Sequence, residues 1–404
     1  MATLMAWLGP GVSILGLSLM ALHSLPLLPL AAAEPEPMPN VPAATEANPS
    51  PGVYPPLFPI LQEGKLGYID ASGNLVVEPR FTFSLAARFF DGEVAVVSLA
   101  GQGGLIDRAG NWVVEPQFEG IGEFREGLAR VRQGGRWGFI NRRGELVIPL
   151  SYQGARDFSQ GFAAVQGEAG WGFIDDTGRW VVAPQFDDAR DFSQAGIAAV
   201  QAAGYWGLIN RDQAWVVEPQ FEQVGESEEN FEGQGLADQE ALLPVQQGGR
   251  WGFVSAEGDW VIPPQFDRVG SFAQGLAVAS QGGRVGYLDR AGRWAIAPQF
   301  AEGDRFVEGL ALALEADTGQ WGYINPQGVW AIAPQYQSAW PFSEGLARVR
   351  IAGKIGFIDS TGKLVIPATF DGARGFFQGL ARVEVGDRIG YIDRTPRFVW
   401  PPTR

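Results

Sequence analysis

Four groups of side chains could do chemistry here, and each recurs or clusters. One set of indoles, Trp137, Trp171, Trp206, Trp251 and Trp321, stands directly before a glycine. A second set, Trp112, Trp180, Trp215, Trp260, Trp294 and Trp330, opens an apolar run further on. Indole faces stack on pyranose CH groups, so either set is a sugar-binding candidate, and core packing is the competing role. Leu, Val and Ile replace the first set at equivalent positions (Leu66, Val285, Ile355, Ile389), which assigns it to packing. The second set is the candidate for exposure. The third group is the repeated acids Asp70, Asp107, Asp175, Asp289, Asp359 and Asp393, which either cap turns or form a ladder of ion sites. The fourth is Glu226, Glu228, Glu229 and Glu232 with Asp238 and Glu240, a stretch with no basic residue. Calcium needs several such oxygens converging, but this spacing matches no calcium loop. The stretch reads as a solvated acidic loop, and as the place where a partner contact would break the repeat symmetry.

Much chemistry is excluded outright. The chain has no Cys and one His, His23. His23 lies in a segment expected to be cleaved, and a mature chain without Cys or His offers no thiol nucleophile, no Ser-His-Asp triad and no standard zinc site. Paired carboxylates for glycoside hydrolysis remain open in principle, yet no acid stands outside the repeat context in an apolar setting. No catalytic residue, cofactor or metal is expected. With 30 Lys and Arg against 45 Asp and Glu, the net charge of −15 repels phosphate backbones, so nucleic acid is not an expected partner.

Residues 1–33 carry no charged side chain, and Val12–Leu22 is apolar enough for a signal h-region. Ala31-Ala32-Ala33 supplies small residues for cleavage. An uncleaved membrane anchor is the alternative, because the first residues lack a basic side chain. Residues 34–59 hold nine prolines and read as a semi-rigid linker. An exported, extracytoplasmic protein follows, with a membrane-anchored one as the alternative.

The positions just described are held by a repeat. The glycine of a Trp-Gly step recurs at Gly67, Gly104, Gly138, Gly172, Gly207, Gly252, Gly286, Gly322, Gly356 and Gly390, mostly 34 residues apart. Residues 60–404 thus form about ten units. In one unit, Leu128–Arg132, Arg136–Ile140 and Glu145–Ile148 read as three short strands. They are joined by Gly134-Gly135 and by Asn141-Arg-Arg-Gly144 turns. A proline such as Pro79, Pro116, Pro184 or Pro219 is expected to end the third strand. The interval from Gly207 to Gly252 is longer and places an insertion near 225–239, with the next strand starting around Ala241–Val245. No stretch keeps a helical period, so helices should be few.

The elements Trp-Gly-Phe/Tyr-Ile-Asp/Asn, x-x-Gly, Val-x-Pro-x-Phe/Tyr and Phe-x-Glu/Gln-Gly-Leu-Ala-x-Val resemble the WG repeat family of bacterial proteins. That resemblance implies an all-β repeat scaffold, usually without assigned activity, and transfers no catalytic residue. One unit is too small to bury its own apolar face, so neighbours must supply the core. Two assemblies compete. The favoured one is an open, solenoid-like stack of three-stranded antiparallel hairpin repeats. The other is a closed, propeller-like ring, disfavoured because blades usually need four strands, 40–45 residues and no more than eight copies. The expected function is a non-enzymatic exported scaffold for protein–protein interaction. The runner-up is a carbohydrate or cell-wall glycan module using the second indole set, and a carboxylate glycosidase comes last.

Overall fold

The computed structural model describes residues 54–82, 89–90, 92–225 and 242–403. The leader, most of the linker and the acids Glu226, Glu228, Glu229 and Glu232 lie outside them. Every regular element among the described residues is a strand. The first, Leu57–Gln62, begins inside the segment read as linker, because Phe58 and Ile60 alternate into the core.

The repeating sheet has four strands, not three. In the unit called blade 3 they are Gly154–Ala155, Ala163–Gly167, Gly170–Ile174 and Trp180–Phe186, hydrogen-bonded in sequence order. The strand missed in the sequence is the first. Only two of its residues pair, Gly154 with Gln166 and Ala155 with Val165, so it leaves no alternating pattern. Six blades have a first strand this short, while Arg268–Ala273, Glu302–Val307 and Ser338–Ser343 run six residues with a register break; with tight turns, four strands fit into about 34 residues. Nine such blades follow one another, the first including Phe89–Phe90 and the ninth ending with Phe398–Thr403. The strands Leu57–Gln62, Lys65–Asp70 and Leu75–Thr82 form an N-terminal three-stranded sheet, joined to blade 1 through the pair Thr82 and Ser98.

Cores lie between blades, as nearest-neighbour packing requires. Phe139, Ile148 and Tyr152 of blade 2 pack on Ala155, Phe158, Val165 and Ile174 of blade 3. Phe173, Val182 and Phe186 of blade 3 then pack on Ala189, Phe192, Val200 and Ile209 of blade 4. Each large side chain buried this way contributes roughly 1.5–3 kcal/mol.

An open stack would leave its end sheets uncovered; here they cover one another. Gly110, Gly178 and Gly292 each meet a Val or Ile on the last strand of the preceding sheet. Gly73 of the N-terminal sheet meets Val399 of blade 9 in the same way. The Tyr391 hydroxyl donates to the Pro59 carbonyl at 2.7 Å, Thr403 donates to the Leu61 carbonyl, and the rings of Phe58 and Tyr391 lie 5.6 Å apart. The molecule is therefore a closed β-propeller of nine four-stranded blades, completed by the N-terminal sheet, and the open array is overturned. First strands of successive blades lie against each other, as Arg268–Ala273 does against Glu302–Val307, which sets them around the hub and the fourth strands at the rim.

The prolines also act differently from expectation. Pro184 lies within Trp180–Phe186 rather than ending it. Trp171 pairs with Phe186 and Phe173 with Val182, so Ala183-Pro184-Gln185 bulge opposite Gly172. On an edge strand the bulge absorbs the missing donor.

Candidate functional site

The anchor glycine answers to that bulge. A Cβ on Gly172 would lie 2.4 Å from the Val182 carbonyl oxygen and 2.9 Å from the backbone of Ala183 and Pro184. The same clash with fourth-strand backbone recurs at Gly138, Gly252, Gly286 and Gly356. Only glycine lets the two strands approach so closely.

The second indole set works as a row of bolts between sheets. Trp112 meets Phe81 edge-on with ring centroids 5.2 Å apart, and Trp294 meets Phe266 at 5.4 Å. Trp180, Trp215, Trp260 and Trp330 engage Tyr152, Phe186, Phe221 and Phe300 of the preceding blade in the same way. Five of the six are half-buried, and Trp180 alone is exposed, at 41%. In the first set, Trp206 is buried and the other four are half-buried. Arg130, Arg156 and Arg190 lie over Trp137, Trp171 and Trp206 at 5.3–5.6 Å.

The repeated acids are occupied by their own turns. The Asp175 carboxylate accepts the backbone N–H groups of Thr177 and Arg179, both at 3.0 Å, and the Thr177 hydroxyl at 2.6 Å. Asp70, Asp107, Asp289, Asp359 and Asp393 repeat the arrangement. The side-chain bond from Asn74 to Asp70, and that from Thr361 to Asp359, hold these carboxyls below the usual range. At Asp175, Asp289 and Asp393 some burial opposes ionisation, but turn hydrogen bonds outweigh it and the result is again a lowered pKa. Asp157 departs from the rest. Burial raises its pKa, opposed by the guanidinium of Arg130, whose Nε lies 3.1 Å from Oδ1.

One set of functional contacts escaped sequence reasoning. In six blades the turn between first and second strands has a Glu or Gln before its glycine, and that residue takes a positive φ, as 53° at Glu126, 51° at Gln274, 51° at Glu308 and 53° at Glu344. Its side chain then accepts backbone N–H groups from the same turn of the next blade. Glu126 takes those of Gln160 (2.7 Å) and Gly161 (2.8 Å). Gln274 takes Gly309 at 3.0 Å, Glu308 takes Gly345 at 2.9 Å, and Glu344 takes Gly379 at 3.1 Å. The signal was present in the repeated Glu/Gln-Gly-Leu-Ala, but its partner lies one full repeat away.

The pattern of the family described as WG containing repeat matches residues 67–101, 104–137, 137–166, 171–206, 206–237, 251–284, 286–316, 321–354 and 355–388. The chain belongs to the WG repeat family. In these WG repeats the glycine is fixed by backbone approach, whereas the Trp before it fills apolar space that Leu66, Val285, Ile355 and Ile389 also fill. No curated protein matches the chain. Among solved structures, a eukaryotic initiation factor is similar with a TM-score of 0.50 at 14% identity, over 78% of this chain and 95% of that one. Dihydro-heme d1 dehydrogenase NirN gives 0.37 at 15% identity, over 91% and 76%. Hsv2p of Kluyveromyces lactis gives 0.31 at 13%, over 52% and 74%. The first shares the fold alone with these WG repeats.

Proposed function

We propose that this WG-repeat propeller is a non-enzymatic, exported scaffold that binds a protein partner. The observation that carries the reading is that the recurring chemistry-bearing residues serve the ring itself: the turn acids cap turns, and the indoles join sheets. What departs from repetition is the acidic insertion, placed in the chain between Gln223–Val224 and Leu243–Gln247 of blade 5. That is the turn between first and second strands, where other blades carry the Glu/Gln-Gly contacts. Antiparallel order puts these turns and the Asx turns on one face of the ring. We infer that the partner engages that face, with the insertion as the element that gives it a preferred orientation.

The test is cross-linking in the native host, followed by reconstitution with the purified candidate partner. Deletion of residues 226–240 should weaken the reconstituted complex at least tenfold. Equal binding by the deletion variant refutes the placement, and absence of any reconstituted complex refutes the scaffold reading. Fractionation of the host, with the protein outside the cytoplasm, is the expected result for export.

A carbohydrate module is the second reading, and the exposed ring of Trp180 favours it. Glycan retention lost on Trp180→Ala and kept on Trp260→Ala would establish it. Retention unchanged by Trp180→Ala would reject it.

A further inference from the structure

The ring is electrically lopsided. Residues 337–404, which build blades 8 and 9, hold ten Lys and Arg against six Asp and Glu, in a chain with 30 against 45 overall. The rim of this sector is also apolar. At the position where six blades place a bolting Trp, blade 8 has Leu364, blade 9 has Phe398 (edge-on to Phe370 at 6.4 Å) and the N-terminal sheet has Leu75, all exposed; blade 2 has exposed Leu146 there too, but behind an acid, Glu145. Leu364, Phe398 and Leu75 follow one another across the closing seam. Exposed cations, Lys363 and Arg397, immediately precede two of them. Arg397 keeps one contact with Asp393, 3.3 Å, while its side chain stays 78% exposed.

The complement to such a surface is an acidic segment with an apolar centre, and the chain contains one. Residues 226–240 carry six carboxylates around Phe231 and no cation. They leave the ring after Gly225 and re-enter it before Leu243, on blade 5. A doubled-back stretch of this length reaches about 27 Å at most. Sheets pack about 10 Å apart, so the hub side of blade 8 is already about 30 Å along the ring from blade 5, and its rim is farther. The segment therefore falls short of its own seam. A second copy meets no such limit.

We propose that residues 226–240 of one molecule dock on the seam rim of another, formed by Leu364, Phe398 and Leu75 with Lys363 and Arg397. The contact is head-to-tail, since the two surfaces differ, and it leaves a free segment and a free seam at the ends of every assembly. Attraction between exposed charges of opposite sign makes it salt-sensitive.

The experiment is sedimentation velocity of the purified protein over a concentration range of about 1–100 μM, at low salt and at about 0.5 M salt. Association that rises with concentration at low salt and falls with added salt is the expected result. The variant lacking 226–240 and the variant Lys363→Glu/Arg397→Glu should each be monomeric. Mixed together they should form a dimer and nothing larger, because one retains the seam and the other the segment. Circular dichroism establishes that both variants are folded. A wild-type protein that stays monomeric throughout, association that survives the deletion, or variants that fail to complement would each overturn the proposal. A partner protein bound normally by a monomeric wild type would overturn it while leaving the scaffold reading intact.

Discussion

Replacing Gly172 by Ala adds one methyl group at the point where two strands of blade 3 come closest. Its carbon would lie 2.4 Å from the Val182 oxygen, in a region with no flexible side chain to yield. Ordinary contact requires the strands to part by about 1 Å, against flanking cores that are close-packed. Phe173 and Val182, the neighbours that must move, are each 1% exposed and belong to the core shared with blade 4. Overpacking of this kind costs about 3 kcal/mol. At about 2–4 °C per kcal/mol for a large domain, Tm should fall by roughly 6–12 °C. The control is Gly161→Ala. Its φ of +85° is strained for Ala, but nothing lies within 4 Å of the new methyl. That substitution should cost about 1–2 kcal/mol. Differential scanning calorimetry of both variants gives the comparison. Equal Tm shifts would refute the claim that backbone approach is what demands glycine in the WG step.

Glu308→Ala removes the acceptor for the Gly345 N–H and should destabilise the ring by about 1 kcal/mol, read as a lower urea midpoint. Tyr391→Phe deletes the hydroxyl at the closing seam and should also cost about 1 kcal/mol, with hydrogen exchange accelerating first in Leu57–Gln62 and Phe398–Thr403. Trp294→Ala loses an edge-to-face pair and its buried area, so a fall of about 3 kcal/mol is expected in chemical denaturation, whatever ligand the protein binds. The turn carboxyls have pKa values lowered by folding. Their stabilisation is fully present above the unfolded carboxylate pKa and is lost as pH falls through the folded values. In acid the ring should therefore begin to lose stability below about pH 4, read as a falling urea midpoint through a pH transition. Asp175→Asn with Asp289→Asn should make that transition less steep, as the natural Asn141 and Asn325 already cap the same turn without a charge.

The repeat, its three longer strands and the resumption of pairing after the insertion, at Leu243–Gln247, were all legible in the sequence. Those strands announce themselves through Gly-Gly and Asx turns flanking alternating apolar residues. The first strand was not legible, because in six blades only two of its residues pair, and in blades 6, 7 and 8 a break in register interrupts it. Closure was invisible for a different reason. It depends on Tyr391 reaching Pro59, 332 residues away, and no local pattern encodes a contact at that range. The indoles show the same limit. Their spacing marked them as equivalent, yet whether the ring of Trp180 faces solvent or a neighbour depends on Tyr152 of the preceding blade. The Glu/Gln-Gly turn lay in plain view, but its contacts exist only once adjacent repeats are set side by side.

The two chain ends close the circle without exchanging a strand: the N-terminal sheet uses only residues 57–82, and blade 9 only residues 372–403. The bond between one sheet and the next along the chain is thus not topologically privileged. Thr403 already touches Leu61 across the seam. A short linker from there to Leu57, with new ends cut between any two blades, would yield a circular permutant with the same cores. Which sheet comes first in the ring is a matter of gene order, not of mechanical necessity.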